Sequence, residues 1–177
     1  MTILTGPVLE TDRLTLRLPG LQDVPVLDAF LAQDRAGFIR PADACPGAAL
    51  TWRAISQLAG MWALRGYGQF VFCAKGSDTA LGAAGPWHPI HWPERELGWA
   101  IWDPSAEGKG YAFEATRAAR DWAYDTLGWT TAVSYIDRDN SRSRSLAERL
   151  GCTLDAHAAA PAPDLTVWRH PAPEGRA

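Results

Sequence analysis

The stretch that decides the fold is "ELGWAIWDPSAEGKGYAFEATRAARDWAYDTLG", residues 96–128. It starts with an alternating pattern that predicts a strand. Two glycines around Lys109 then predict a tight turn, and an alanine-rich run predicts a helix from about residue 110 to 127. A helix that begins at glycines offers unpaired backbone N–H groups and the positive end of its dipole to a phosphate. The segment therefore predicts a strand–loop–helix unit with a phosphate site, although two glycines can also serve only to shape a turn.

Two common nucleotide motifs do not fit this loop. A Walker loop requires Ser or Thr directly after the lysine, and Gly110 stands there. A Rossmann fingerprint requires a third glycine at position 113, which is Phe113. The loop by itself thus predicts an anion site without identifying the ligand.

The composition is typical of a soluble globular protein. The chain has 177 residues, 47% of them hydrophobic and 21% charged, with a formal net charge of −3. We expect one domain over residues 1–177 in the cytoplasm, with neither nucleic acid nor membrane as a partner. The three cysteines, an odd number without a C-x-x-C pair, predict no zinc site and no disulfide framework: Cys45, Cys73 and Cys152.

The predicted elements follow the order β-α-α-β-β-β-α-β-α-β-β, which is a mixed α/β (α+β) sheet of seven strands. The second helix covers residues 49–66, and its inward stripe is predicted to be Trp52, Ile55, Ala59 and Trp62. In the fourth helix Asn140 is a natural N-cap. Two short runs near the end predict a closing hairpin.

Four segments in the right order resemble the GNAT superfamily of acetyl-CoA-dependent N-acyltransferases. They are "LETDRLTLR" (9–17), residues 96–128, "DRDNSRSRSLAERLGC" (137–152) and "VWRHP" (167–171). The sequence looks most like the branch of ribosomal-protein N-terminal acetyltransferases (RimJ/RimL type). The resemblance implies a sheet flanked by about four helices and splayed between its fourth and fifth strands. It also implies acetyl-CoA as co-substrate and direct transfer to a primary amine, without a metal.

The resemblance assigns the cofactor contacts. The family's Gln/Arg-x-x-Gly-x-Gly/Ala loop falls on residues 107–112, where Glu107 departs from the pattern and places a carboxylate beside the pyrophosphate. The strand before the loop is expected to bind the pantetheine arm, and Asn140 its amide. The residues expected at the cofactor are Trp99, Ala100, Ile101, Gly108, Lys109, Gly110, Tyr111, Ala112, Asn140 and Ser143.

Two residues are candidates for proton transfer. Alternation along the strand places Glu96 on the same face as Gly98 and Ala100, whose small side chains leave room for a ligand. Glu96 is the candidate base or ammonium anchor, with a structural role, a histidine or water as alternatives. Ala147 stands where many family members have a tyrosine acid, which leaves Ser143 as the candidate acid for the leaving thiolate.

The loop "PWHPIHWP", residues 86–93, is predicted to be extended by its prolines and to form one wall of the acceptor pocket. The expected pocket residues are Trp87, His88, His91 and Trp92, with Phe38 and Arg40 opposite. A metal is not expected there, because the prolines exclude a helix and no third ligand is close in sequence.

Two functions are compatible with this sequence. One is an N-acetyltransferase that modifies a protein N-terminus or a small-molecule amine. The other is a non-catalytic module that binds or senses acyl-CoA on the same fold, which Glu107 and the missing tyrosine keep open. A homodimer is compatible with the nine tryptophans.

Overall fold

The computed structural model describes residues 5–41 and 43–173, so the ends of the predicted domain and Ala42 lie outside the described residues. Within them, eight strands form one sheet in the order β1-β2-β3-β4-β5-β6-β8-β7. The strands are β1 Leu9–Glu10, β2 Leu14–Arg17, β3 Phe70–Ala74, β4 Ala80–Trp87, β5 Glu96–Ile101, β6 Val133–Asp137, β7 Thr153–Leu154 and β8 Leu165–Arg169. The α-helices are α1 Val24–Leu31, α2 Ala48–Arg65, α3 Tyr111–Asp125 and α4 Ser141–Arg149.

The mixed α/β fold with four helices confirms the predicted class, and the sheet has one strand more than the seven expected. The extra strand arises because the opening strand divides. A turn closed by the bond from the Thr11 N–H to the Leu14 carbonyl, 2.9 Å, separates β1 from β2. β1 then folds back antiparallel on β2 instead of extending it.

The sheet is splayed between β5 and β6. These two strands run parallel, and the pair Glu96–Val133 is the one residue pair of their ladder in the described chain. Beyond that pair a side chain joins the two strands, because Ser134 Oγ donates a hydrogen bond to the Leu97 carbonyl at 2.5 Å. Nε2 of the buried His170 ring lies 2.9 Å from Ser134 Oγ. The opening of the cleft is thus fixed by one buried hydrogen-bonded cluster.

The helices cover both faces of the sheet. α1 and α2 pack on one face over a core that includes Leu27, Ile55 and Trp102. α3 and α4 pack on the other face, where Ala112, Ile136 and Leu146 lie together. Side chains of β5 therefore alternate as predicted, with Ala100 and Trp102 against the α1/α2 core and Trp99 and Ile101 against α3 and α4.

In the predicted inward stripe of α2, Ile55 and Trp62 are buried as expected and Ala59 is half-buried, whereas Trp52 is wrong. Trp52 is 59% exposed, whereas Thr51 is 1% exposed and lies on the inner face with Ile55, Leu58 and Trp62. Thr51 can be buried because its hydroxyl donates to the Asp28 carboxylate of α1. Among the described residues, no helix is both long and apolar enough to cross a bilayer.

Candidate active site

Two cavities meet along β5. One has a volume of about 450 Å³ and lies between β5, β6 and the helices α1 and α2. The other, about 1030 Å³, lies between β5, the loop before α3 and the start of α4. They are continuous, because both are lined by Phe38, Ile39, Trp99, Ala100, Asn140 and Ser143. The splayed cleft is the passage between them.

The larger cavity has the features of a pyrophosphate site. Gly108 (φ 72°) and Gly110 (φ 78°) adopt left-handed backbone conformations just before α3, which favour glycine. Both line the cavity, as does Ala112 in the first turn of α3. The free N–H groups of the helix start and the absence of a Cβ at both glycines are features that suit an anion.

Lys109 and Tyr111 differ from the prediction, since their side chains are not among those that line the cavity. The Lys109 side chain is exposed, and its carbonyl accepts a bond from Arg13 Nη1 at 2.9 Å. The Arg13 guanidinium packs over the Tyr111 ring, with its Cζ atom 4.8 Å from the ring centroid. Both residues therefore contact Arg13, and neither is among the residues that line the cavity.

Glu114 and Arg13 fasten the loop to the first strands. Arg13 Nε donates to Glu114 Oε2 at 2.6 Å, and the Thr11 hydroxyl donates to Oε1 at 2.6 Å. Although burial opposes it, these hydrogen bonds and the Arg13 charge lower the pKa of Glu114. The loop thus rests on an ionised carboxylate in the first turn of α3, where the helix dipole favours negative charge.

Glu107 is the residue that departs from the family pattern. Its carboxylate is paired with two arginines. Its Oε1 accepts from Arg35 Nη1 at 2.9 Å and its Oε2 from Arg142 Nη1 at 3.0 Å. Arg35 also donates to the carbonyls of Ile101 and Trp102. Two guanidinium groups therefore neutralise Glu107, and one of them holds the end of β5.

The cleft between the cavities carries Asn140 and Ser143. Asn140 caps α4, as predicted, because its Oδ1 accepts from the Ser143 N–H at 3.1 Å. The indole of Trp99 donates to Ser143 Oγ at 3.3 Å. Ser143 Oγ is thus held as an acceptor by Trp99, which leaves its own proton for a partner in the cleft.

Glu96 lines the smaller cavity at the point where β5 and β6 part. The indole N–H of Trp92 donates to its Oε2 at 2.5 Å. Burial raises the pKa of Glu96 to about 7, against the opposing effects of the Trp92 N–H and the backbone of Tyr135. A carboxyl group with this pKa exchanges protons readily near neutral pH.

Of the residues predicted for the acceptor wall, Trp87, Trp92 and Phe38 line the smaller cavity. The segment between Trp87 and Trp92 is a turn rather than an extended loop, since the Trp92 N–H bonds to the Pro89 carbonyl at 3.0 Å. This turn brings the Trp92 indole back onto Glu96.

The two histidines and Arg40 differ from the prediction. The turn leaves His91 exposed, with its ring against Trp92 at 4.5 Å, and His88 is not among the cavity residues. Burial and the charges of Arg65 and Arg95 lower the pKa of His88. Arg40 Nη1 donates to the Leu31 carbonyl at 2.5 Å, so it caps the end of α1 and does not face the cavity.

Sequence reasoning missed four residues of the site: Arg35, Gln57, Gln69 and Ser134. A Cβ on Gly98 would stand 2.5 Å from Gln69 Nε2 and 3.5 Å from Glu96 Oε1, so Gln69 and Glu96 flank that glycine. These residues lie on four separate elements, and no local spacing connects them. A polar Ser134 within a strand of β-favouring residues was the one available signal.

The cysteines take no part in the cavities described above. Burial raises the pKa of Cys73 to about 11 and that of Cys152 to about 12, which keeps both as thiols. Cys45 is exposed. In the part of the chain that the structure describes, no group of three or more His, Cys, Asp or Glu side chains is placed to hold a metal ion.

A splayed mixed sheet with a glycine loop at a helix start and a half-buried carboxylate in the cleft fits an acyltransferase fold. A family model described as the acetyltransferase (GNAT) domain matches residues 13–153. The chain belongs to this family of acyltransferases, which generally use acetyl-CoA.

Solved structures agree with the assignment. An acetyltransferase from Agrobacterium tumefaciens str. C58 is 35% identical, with a TM-score of 0.84 over 96% of this chain and 95% of that one. A Bordetella pertussis protein assigned to the GNAT family is 26% identical, with a TM-score of 0.72 over 92% and 97% of the two chains. The ribosomal-protein-S5-alanine acetyltransferase of Vibrio fischeri shares the fold at 15% identity, with a TM-score of 0.65 over 93% and 94%.

Proposed function

We propose that this protein transfers an acetyl group from acetyl-CoA directly to a primary amine, with Glu96 as the general base. The observation that carries the proposal is the Glu96 carboxyl group, which lines the smaller cavity where β5 and β6 part and whose pKa burial raises to about 7. An amine reacts only as the neutral base, and most primary amines are protonated at neutral pH. A carboxylate at this point both attracts the ammonium ion and removes its proton.

The cofactor contacts follow from the glycine loop and the cleft. The backbone of residues 108–112 is suited to the pyrophosphate, and Trp99, Ala100 and Ile101 on the free edge of β5 to the pantetheine arm. Asn140 Oδ1 is committed to its helix cap, so its amide N–H groups would serve a pantetheine carbonyl. When bound, acetyl-CoA supplies the activated acyl thioester.

Two protons move through this chain's own residues. Glu96 takes one from the acceptor ammonium, and the Trp92 indole N–H holds the carboxylate in place. Ser143 supplies the other to the sulfur of the departing CoA, since Trp99 occupies its oxygen and leaves the hydroxyl proton available. Direct transfer is favoured because burial raises the pKa of Cys152, the thiol near α4, to about 12.

The proposal extends to the family branch, the cellular location and the oligomeric state of the protein. The N-x-x-S pattern at residues 140–143 supports a place near the RimJ/RimL-type branch. The acceptor is then a protein N-terminus or a small-molecule amine. We infer that residues 1–177 form one acetyltransferase domain in the cytoplasm, where buried thiols such as Cys73 stay reduced. A homodimer stays a prediction.

The test is to mix the protein with acetyl-CoA and a panel of amines and to follow the release of free thiol. We expect amine-dependent release that Glu96→Gln reduces strongly without changing the affinity for CoA. Tight CoA binding without turnover of any amine would favour the non-catalytic binding module instead. A protein that does not bind CoA contradicts both functions.

A further inference from the structure

The smaller cavity has walls of two kinds. Helices α1 and α2, the link between them, the end of β4 and the loop after it supply bulky apolar groups, and the cleft supplies polar ones. The apolar wall is formed by Leu27, Leu31, Leu58, Phe38, Trp87 and Trp92. Such a wall gains free energy from burying an aliphatic or aromatic body of the acceptor.

Charge is divided between the two cavities. Two acidic side chains, Glu96 and Asp137, line the smaller cavity. Among the described residues, no Lys, Arg or His lines it. The larger cavity is lined by both signs of charge, by Arg35, Arg142 and Arg149 and by Asp34, Glu107 and Asp139. The acceptor end therefore presents only negative charge to its ligand, whereas the cofactor end offers cations as well.

The neutral polar groups at the acceptor end are amides. Gln69 lies beside Glu96 across Gly98, and Gln57 lies on the exposed edge of the cavity, on α2. An amide can bond to a neutral carbonyl or hydroxyl of the acceptor, but it gives no full charge to balance a carboxylate.

We propose that the acceptor is a small primary amine with an aliphatic or aromatic body and without a carboxylate. This inference rests on the proposed function and specifies its substrate class. A free amino acid would place its carboxylate beside Glu96 with no cation to pair it, which costs binding energy through repulsion and desolvation. A cavity of about 450 Å³ that also receives the acyl end of CoA leaves room for a small molecule.

The test uses four acceptors with the same aromatic body: 2-phenylethylamine, the amide of phenylalanine, free phenylalanine and a tripeptide that begins with phenylalanine. Thiol release gives kcat/KM, compared per concentration of the ammonium form of each acceptor, because the ammonium ion is the form on which the proposed base acts. Calorimetry on the CoA-saturated protein gives the affinity for each acceptor independently of turnover.

We expect 2-phenylethylamine and the amide to exceed free phenylalanine by at least about tenfold in both measurements. Turnover of free phenylalanine at an equal rate overturns the inference and leaves the acetyltransferase intact. The expected order in calorimetry without any thiol release supports the substrate class and contradicts the proposed function. A tripeptide preferred over both small amines overturns the small-molecule assignment, and no binding of any acceptor contradicts both proposals.

A charge introduced at the cavity edge sharpens the test. Gln57→Arg adds a cation where none lines the cavity, so we expect the preference against free phenylalanine to shrink several-fold. Ser56→Arg adds the same charge to an exposed residue outside the cavity and serves as the control. An unchanged preference in Gln57→Arg, or an equal change in both variants, contradicts the role of wall charge.

Discussion

The cofactor end and the acceptor end proposed for this protein differ in the groups that form them. The cofactor end is a short continuous loop in which Gly108 and Gly110 expose backbone N–H groups, with arginines around them. The acceptor end is assembled from side chains of α1, α2, β4, β5 and β6, with Glu96 at its base. One end therefore depends on backbone shape and the other on distant side chains that packing brings together.

The two ends differ because their two ligands need different chemistry. An anion with several phosphates is held by dipoles and guanidinium groups that need not change their protonation. An amine must lose a proton during the reaction, so its site needs a group that titrates near neutral pH. The cluster Ser134–His170–Leu97 joins the two ends by fixing the splay between β5 and β6.

The largest expected effect is on the acceptor side. Glu96→Gln keeps the shape of the side chain and removes the base, so kcat/KM for the amine should fall about 100- to 1000-fold. The variant should unfold at an equal or higher temperature at pH 8, because a carboxyl with a raised pKa destabilises the fold when ionised. Thiol-release kinetics and thermal melting measure the two effects. Glu148→Gln, an exposed carboxylate, is the control, and a loss below threefold in Glu96→Gln contradicts the assignment.

The second expected effect separates backbone strain from cofactor binding. Gly108 and Gly66 share a φ of 72°, and a Cβ would meet open space at both positions. Alanine at either one should cost about 1–2 kcal/mol of stability through the left-handed backbone alone. In calorimetry with CoA, only Gly108→Ala should weaken binding, by about tenfold, because only this residue lines the phosphate cavity. Equal CoA affinities of the two variants would contradict a role of the glycine loop in binding CoA.

The third expected effect concerns the departure from the family pattern. Glu107→Gln removes a negative charge between Arg35 and Arg142, so the dissociation constant for CoA should fall about threefold at low salt. The gain should shrink at high ionic strength, since Arg142 is 80% exposed. Weaker CoA binding in this variant would show that Glu107 instead serves to position the two arginines.

The fourth expected effect is on stability and tests the cluster that joins the two ends. Burial lowers the pKa of His170 to about 3, from an ordinary value of 6.5. The neutral ring therefore costs stability as pH falls below 6.5, by up to about 1.4 kcal/mol per pH unit, because the unfolded chain binds the proton first. His170→Gln keeps a donor toward Ser134 and should flatten this slope in urea unfolding between pH 6.5 and 5. An identical slope would contradict a neutral buried His170.

The glycine loop before α3 and the Asn140 cap of α4 could be predicted because their determinants are adjacent in sequence. Residues 107–112 and the N-x-x-S run at 140–143 each lie within one turn, so spacing alone indicates their placement. The same reasoning gave the alternation of β5 and hence the direction of Glu96. It also gave the mixed sheet, but not the turn at Thr11 that divides the first strand.

The acceptor end was predictable only in part because its members are far apart in sequence. Trp87, Trp92 and Phe38 were found as aromatic residues near loops, whereas Gln57 and Gln69 carry no motif. His88 and His91 were assigned to the wall because a proline-rich loop was expected to be extended, and the actual turn directs Trp92 inward instead. Arg40 shows the same limit, since a local carbonyl of α1 competes for its guanidinium.

The most direct measurement is the pH profile of kcat/KM for a simple amine whose own pKa lies well above 9. If Glu96 removes the proton from a bound ammonium ion, the wild-type profile should rise about tenfold per pH unit below pH 7 and level off above it. The Glu96→Gln profile should instead keep rising toward the pKa of the amine, because only the amine that is already neutral then reacts. A wild-type profile without a break near pH 7, or a break that survives in Glu96→Gln, would contradict the account.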